Sequence, residues 1–245
     1  MVWGFEPASR FGPFRPDGDF VGYYEQLDAN FDSMTPDEQE FYGNSKPAYR
    51  LHVCQCLLYE HGTMHGEKRL FRAVEENEWP REYRINRRYP RLGSFMQITG
   101  MLLVVDVALK ELIEKLEPGI HQFRPIRMSY KPEELHPGEF FTMMIGAFLT
   151  SFDPQQSEEF KNIGGCYRSN YFNQINASKL AMKRLQFLNC HLWRERELKT
   201  PEFFVSDTLQ DEIRKAGLLM PDMYRMKEVL NSAWAVPRAN GFPER

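Results

Sequence analysis

The segment HLWRERELKTPEFFVSDTLQDEIRKAGLLMPDMYRMKEV, residues 191–229, reads as a strand, a capped helix and a second strand. It echoes ITGMLLVVDVALKELIEKLEPGIHQFRPIRM, residues 98–128. In each copy a β-prone apolar run, Leu102 to Val105 or Phe203 to Val205, meets an aspartate, Asp106 or Asp207, that opens a short amphipathic helix. A carboxylate suits that position because it accepts hydrogen bonds from unpaired backbone N–H groups and faces the positive helix end. Asp207 has Gln210 three residues on, a capping-box spacing, whereas Asp106 has Leu109 there. Each helix returns to a strand through Glu117-Pro118-Gly119 or Gly217. The echo is a scaffold signal, and as helix caps Asp106 and Asp207 are not expected to act as an acid–base pair.

Gly119-Ile120-His121-Gln122-Phe123-Arg124-Pro125-Ile126 and Phe204-Val205-Ser206-Asp207 with Ala216-Gly217-Leu218 resemble the hallmarks of immunity protein family eleven of bacterial polymorphic toxin systems. The resemblance covers about Leu92 to Val229. One departure is visible, since Leu218-Leu219-Met220-Pro221-Asp222 inserts a turn where the family continues into a Gly-Leu-x-Phe strand. The resemblance implies a non-enzymatic cytoplasmic protein that neutralises a cognate toxin, in bacterial competition of the type VI secretion kind. It further implies a nuclease of the His-Asn-His type as the partner.

The 245 residues suffice for one large domain or two small ones, and 42% hydrophobic with 14% aromatic content can bury a core. A net charge of −3 carries no global sign of nucleic-acid binding. The apolar run from Phe140 to Leu149 is far shorter than the ~20 residues a membrane-spanning helix needs. The N-terminal residues lack a secretory pattern, and Cys54, Cys56, Cys166 and Cys190 have no disulfide-framework spacing, so reduced thiols in the cytoplasm are expected.

Residues 1 to 34, rich in Pro, Gly and aromatics, read as an irregular arm. Thr35-Pro36-Asp37-Glu38 is a helix start with a capping box, and Gly43 ends that helix. Tyr49 to Tyr59 reads as a strand, His65 to Trp79 as a helix stopped by Pro80, and 81–93 (REYRINRRYPRLG) as a basic loop or edge strand. Glu139 to Phe152 reads as one long strand and Cys166 to Phe172 as another. Leu180 to Arg194 stays open between strand and helix, and 231–245 reads as a surface tail. The expected architecture is α+β with a mixed or mainly antiparallel sheet. The expected organisation is a variable subdomain over 1–90, an α+β domain over 91–230 and a tail over 231–245.

Each candidate constellation has a plain alternative. Cys54, Cys56, His61 and His65 combine zinc's preferred ligand types, but zinc cysteines are normally separated by two to four residues, and cysteines two apart on a strand pack as small hydrophobes. Asp28, Asn30 and Asp32 open like a calcium loop, yet Ser33 replaces the required glycine and Gln39 the bidentate glutamate, so an acidic turn fits better. No metal or cofactor is expected. His121 and His191 are each isolated, with no acid or nucleophile paired in sequence, so an enzyme built on either is a distant third reading and no catalytic residue is assigned.

Two charged features remain. Arg81, Arg84, Arg87, Arg88 and Arg91 lie beside Tyr83 and Tyr89, a composition that suits phosphate and base stacking, a protein interface, or a solvated basic edge. From Met1 to Ala48, nine acidic residues oppose three basic ones, a local balance of −6. That surface could steer a basic nuclease. The expected toxin-binding residues are Asp28, Asp32, Asp37, Glu38 and Glu40 with the aromatics Tyr23, Tyr24, Phe41 and Tyr42. The arginine cluster is the alternative patch, and nucleic-acid binding through it the second functional reading. No membrane partner is expected.

Overall fold

In the computed structural model of the chain, residues 1–64, 67–70, 72–131, 134–164, 166–169 and 172–230 are described. The chain opens with β1 (Val2–Phe5) and β2 (Gly18–Phe20), then α1 (Tyr23–Asp32), α2 (Pro36–Phe41) and α3 (Lys46–Leu58). A hairpin of β3 (His61–Met64) and β4 (Glu67–Leu70) leads to β5 (Glu82–Ile85) and β6 (Phe95–Gln97). The first echo unit follows as β7 (Leu103–Asp106), α4 (Val107–Leu116) and β8 (Gln122–Lys131), with β9 (Glu134–Leu135), β10 (Phe140–Met144) and β11 (Phe148–Leu149) behind it. After β12 (Phe160–Ile163), β13 (Cys166–Ser169), α5 (Gln174–Ala177), β14 (Ala181–Lys183) and β15 (Leu192–Glu195) comes the second unit. It comprises β16 (Phe203–Ser206), α6 (Asp207–Lys215) and β17 (Tyr224–Arg225), and β18 (Lys227–Val229) ends the described chain.

The fold is α+β, with two main mixed sheets. One runs β2-β5-β8-β10-β7-β6 with β9 paired to β8, and the other runs β11-β15-β16-β1-β17. Most pairings are antiparallel, but β5 lies parallel to β8 and β11 parallel to β15. The two echo units fall one in each sheet, and their helices pack on one another. Leu109 and Ile113 of α4 join Leu209 and Ile213 of α6 in one apolar core with Phe5, Phe95, Phe123 and Phe203. Each such buried side chain contributes about 1.5–3 kcal/mol relative to exposure. Strands from both sides of Pro90 enter both sheets, because β1 sits between β16 and β17 while β2 and β5 extend from β8.

The front of the chain is more regular than its composition implies. Residues 1 to 34 form β1, β2 and α1 rather than an irregular arm, because pairing of β1 with β16 and β17 and of β2 with β5 supplies the hydrogen bonds a lone segment lacks. Tyr49 to Tyr59 is helical, not extended. Ser45 caps it by accepting from Ala48 N–H, Pro47 occupies the first turn, and Tyr49, Val53, Cys56 and Leu57 then form one buried face. Among its described residues the expected helix His65 to Trp79 is not helical: Glu67–Leu70 is β4, paired antiparallel with β3, glycines at 62 and 66 disfavour helix in the sequence, and a short 3₁₀ turn at Glu76–Glu78 follows.

Glu139 to Phe152 divides into β10 and β11, which belong to different sheets. The break falls at Gly146, whose N–H donates to His121 Nδ1 at 3.3 Å. The undecided stretch Leu180 to Arg194 resolves into β14, a 3₁₀ turn and β15. At the second echo unit the cap is Ser206, not Asp207: its Oγ accepts from Leu209 N–H at 3.1 Å. Asp207, one residue into the helix, accepts the Trp3 indole N–H at 3.0 Å instead. Asp106 caps α4 as its position implies, taking Leu109 N–H at 2.8 Å. Gly217 ends α6 at φ +62, a left-handed conformation that glycine adopts without a Cβ penalty. The expected tail over 231–245 lies outside the described residues.

Candidate functional site

The acidic front of the sequence folds into three helices whose outer surface mixes carboxylates with exposed apolar side chains. Thr35 closes the capping box of α2: Glu38 Oε2 accepts from Thr35 N–H at 2.7 Å and from its hydroxyl at 2.8 Å. Those bonds hold the Glu38 carboxyl below its usual range. Asp37 and Glu40, three residues apart on α2, point to solvent with no ion pair among the described residues, as does Glu25 on α1. Tyr24 and Phe41 are each 40% exposed and Leu51 is 60% exposed. Helix α3 links them, since Arg50 lies over the Tyr24 ring at 5.5 Å and His52 meets the Phe41 ring edge-on at 6.4 Å.

Other expected contact residues have internal partners. Asp28 forms a two-pronged pair with Arg50, and that hydrogen bonding holds its carboxyl low. Asp32 bonds Lys46 at 2.6 Å. Both residues lie in α1, so Asp28, Asn30 and Asp32 form helical turns, neither a calcium loop nor an acidic turn. Tyr23 is 1% exposed and donates its hydroxyl proton to Glu78 O at 2.8 Å, so it belongs to the core and cannot anchor a partner. Tyr42 is likewise buried, against Tyr49.

Beneath this surface lies a buried carboxylate. Glu78 accepts from the Tyr49 hydroxyl at 2.7 Å, from Arg72 through both oxygens, and from Glu75 N–H. Burial alone would raise its carboxyl, yet Arg72 and Tyr49 hold it below the usual range. This core of paired charge fixes α1 and α3 and so sets the spacing of Tyr24, Leu51 and Phe41 above it.

The five arginines form no single open patch. Arg87 stacks on Tyr89 at 5.0 Å and donates to its hydroxyl and to Phe11 O. Arg88 pairs with Glu134 and lies over Tyr130 at 4.9 Å. Arg91 reaches Gly217 O at 3.4 Å, and Arg84 lies 3.8 Å from Glu82. Arg81 stays exposed. Four of the five thereby contact other groups of their own chain.

The remaining candidates are structural in geometry. His121 Nε2 meets Glu117 Oε2 at 2.9 Å, and the Gly146 N–H at Nδ1 places the imidazole proton on Nε2. Glu117 also accepts from His191 N–H at 2.8 Å and Leu192 N–H at 2.9 Å, tying the end of α4 to the start of β15. His191 Nδ1 lies 2.7 Å from Ser206 Oγ, beside the α6 cap. Cys54 and Cys56 lie on α3, where two residues turn the side chains about 200° apart. Burial pushes the Cys56 thiol up to about 12 and raises Cys54 as well, which keeps both protonated at neutral pH. Among the described residues no group of three or more His, Cys, Asp or Glu could hold a metal. His65 lies outside them.

Leu51 was not legible as a surface anchor while 49–59 read as a strand. The cap at Ser45 with Pro47 was the signal that a helix starts there. Glu117 was missed because a carboxylate beside Pro-Gly reads as an ordinary turn residue.

Comparison with known proteins adds one positive finding. A family model described as an immunity protein family (Imm11) matches residues 49–227. Among curated proteins none matches the chain.

Proposed function

The chain belongs to the Imm11 immunity protein family, and from that membership we propose that it neutralises a cognate antibacterial toxin by covering the toxin's catalytic face. The partner in this reading is a basic nuclease, bound in the cytoplasm, and the chain acts as a binder rather than a catalyst. The observation that carries the reading is the surface of α1, α2 and α3. It offers Glu25, Asp37 and Glu40, exposed carboxylates that make no ion pair among the described residues, around the exposed Tyr24, Phe41 and Leu51. Aromatic and aliphatic anchors ringed by charge suit a hot spot with a polar rim. A negative face attracts a phosphate-binding surface and speeds its encounter. The family match begins at residue 49, so α1 and α2 precede it. Surface that differs between family members is where partner choice would lie.

The test is co-expression with a candidate cognate toxin domain, sought among the genes adjoining this one. Stable co-purification and restored growth support the reading, and growth arrest with no complex removes it. The arginine cluster is disfavoured as a binding patch because Arg84, Arg87, Arg88 and Arg91 contact their own chain.

A further inference from the structure

A pocket of about 370 Å³ opens where α3 ends against the five-stranded sheet, far in sequence from the acidic helices α1 and α2. Its floor is Arg194 of β15, a side chain only 7% exposed. The guanidinium lies over the Phe203 ring at 4.9 Å and donates to Leu58 O. It also lies 3.3 Å from Glu202 Oε1, longer than the ~2.8 Å of a well-made charged pair, and its Nε has no partner. Arg168 and Lys199 stand on the wall.

The placement of those two cations is imposed by the backbone. Tyr167 and Leu198 form a parallel bridge, with Tyr167 N–H donating to Glu197 O at 2.7 Å and Lys199 N–H to Tyr167 O at 2.8 Å. The next residue on each strand is Arg168 and Lys199, so they sit side by side on one face, about 5 Å apart at the backbone. Like charges in such a pair destabilise a sheet. Neither makes an ion pair with another described residue. Cys166, two residues before Arg168, lies on the same wall, and Tyr59, Met101 and Phe148 add apolar surface. The facing carboxylates are Glu202, loosely paired to Arg194, and Glu195, whose Oε2 is turned to Ser151.

The geometry points to a binding site for a small organic anion, a phosphate or carboxylate on an apolar body. The anionic group meets Arg168 and Lys199 at the wall with Arg194 behind them, and the apolar part lies against Tyr59, Met101 and Phe148. Nothing in this assignment depends on the toxin reading, since it concerns different residues and a different class of ligand.

The test is calorimetric titration of the full chain with phenyl phosphate, benzoate and inorganic phosphate at constant ionic strength. The Arg168→Ala/Lys199→Ala variant is titrated in parallel, and Arg214→Ala/Lys215→Ala on α6 is the surface-charge control. Binding of phenyl phosphate or benzoate, tighter than inorganic phosphate, is expected, with affinity falling at least about tenfold in the pocket variant and unchanged in the control. Which organic probe binds tighter distinguishes a phosphate from a carboxylate ligand. Because both residues are exposed, the variant keeps its fold, checked by an unchanged circular dichroism spectrum. No heat with either organic probe, no preference over inorganic phosphate, or equal affinity in the pocket variant overturns the assignment.

Discussion

Replacing Glu117 with alanine should unlatch the two echo units from one another. The carboxylate is 5% exposed and receives three donors: His121 Nε2–H, His191 N–H and Leu192 N–H. Hydrogen bonds to a charged group contribute about 1.5–3 kcal/mol each in favourable cases, but the cost of burying the carboxylate offsets part of that. Removing the acceptor strands one buried and one half-buried backbone donor and a buried imidazole, and leaves a cavity where the side chain stood. A loss of about 3–5 kcal/mol follows, within the range for breaking a buried charged network. For a chain of this size each kcal/mol moves Tm by about 2–4 °C, so Tm should fall by roughly 6–20 °C. Glu117→Gln keeps the shape and one acceptor oxygen but turns an amide toward donors, and should lose about half as much. Differential scanning calorimetry reads the stability, and hydrogen exchange at the His191 and Leu192 amides reads the latch. A loss under about 1 kcal/mol, or unchanged exchange at those two amides, would refute the argument.

Two further outcomes follow from the same geometry. Ser206→Ala should cost about 1 kcal/mol as a lost helix cap, whereas Asp207→Asn, which keeps an acceptor for the Trp3 indole, should cost under about 0.5 kcal/mol; urea denaturation in which Ser206→Ala costs less than Asp207→Asn contradicts Ser206 as the cap. Burial raises the Glu195 carboxyl from 4.5 to about 7, so between those values the folded chain keeps a proton that the unfolded chain releases. Stability therefore declines as pH rises through that window, by about 3 kcal/mol from this group, and levels off above it. Glu195→Gln removes that slope. A variant-minus-parent stability difference that is equal at pH 5 and pH 8 contradicts it.

How much of this was legible in the sequence differs between the two halves of the chain. The echo of 98–128 in 191–229 reads correctly because its signals are local: an apolar run, a polar cap, an amphipathic turn and a glycine with positive φ. Even there the cap fell one residue early, on Ser206, because a serine and an aspartate side by side are both good caps and only the start of α6 chooses between them. The front misled because its order is not local. β1 is held by β16 and β17, about two hundred residues away, and no window of sequence contains that pairing. The buried face of α3 was read as alternation because Leu51 and Val53, two apart, mimic a strand, although Leu51 is exposed and Val53 is not. Tyr23 and Tyr24 are indistinguishable as letters, and the position of Glu78 across the fold puts one in the core and the other on the surface. Charge sign over a long segment was readable. Which carboxylates stay unpaired depended on where Arg50 and Lys46 of α3 come to lie.

The central claim is that the acidic helical face meets the toxin, and the association rate tests it most directly. Asp37→Ala/Glu40→Ala leaves the Thr35–Glu38 cap intact, so the helix survives while the field weakens. Stopped-flow mixing with the cognate toxin domain should show an on-rate reduced roughly threefold to tenfold at low ionic strength, with a shallower dependence on salt. An on-rate and salt dependence equal to those of the parent chain would contradict the account.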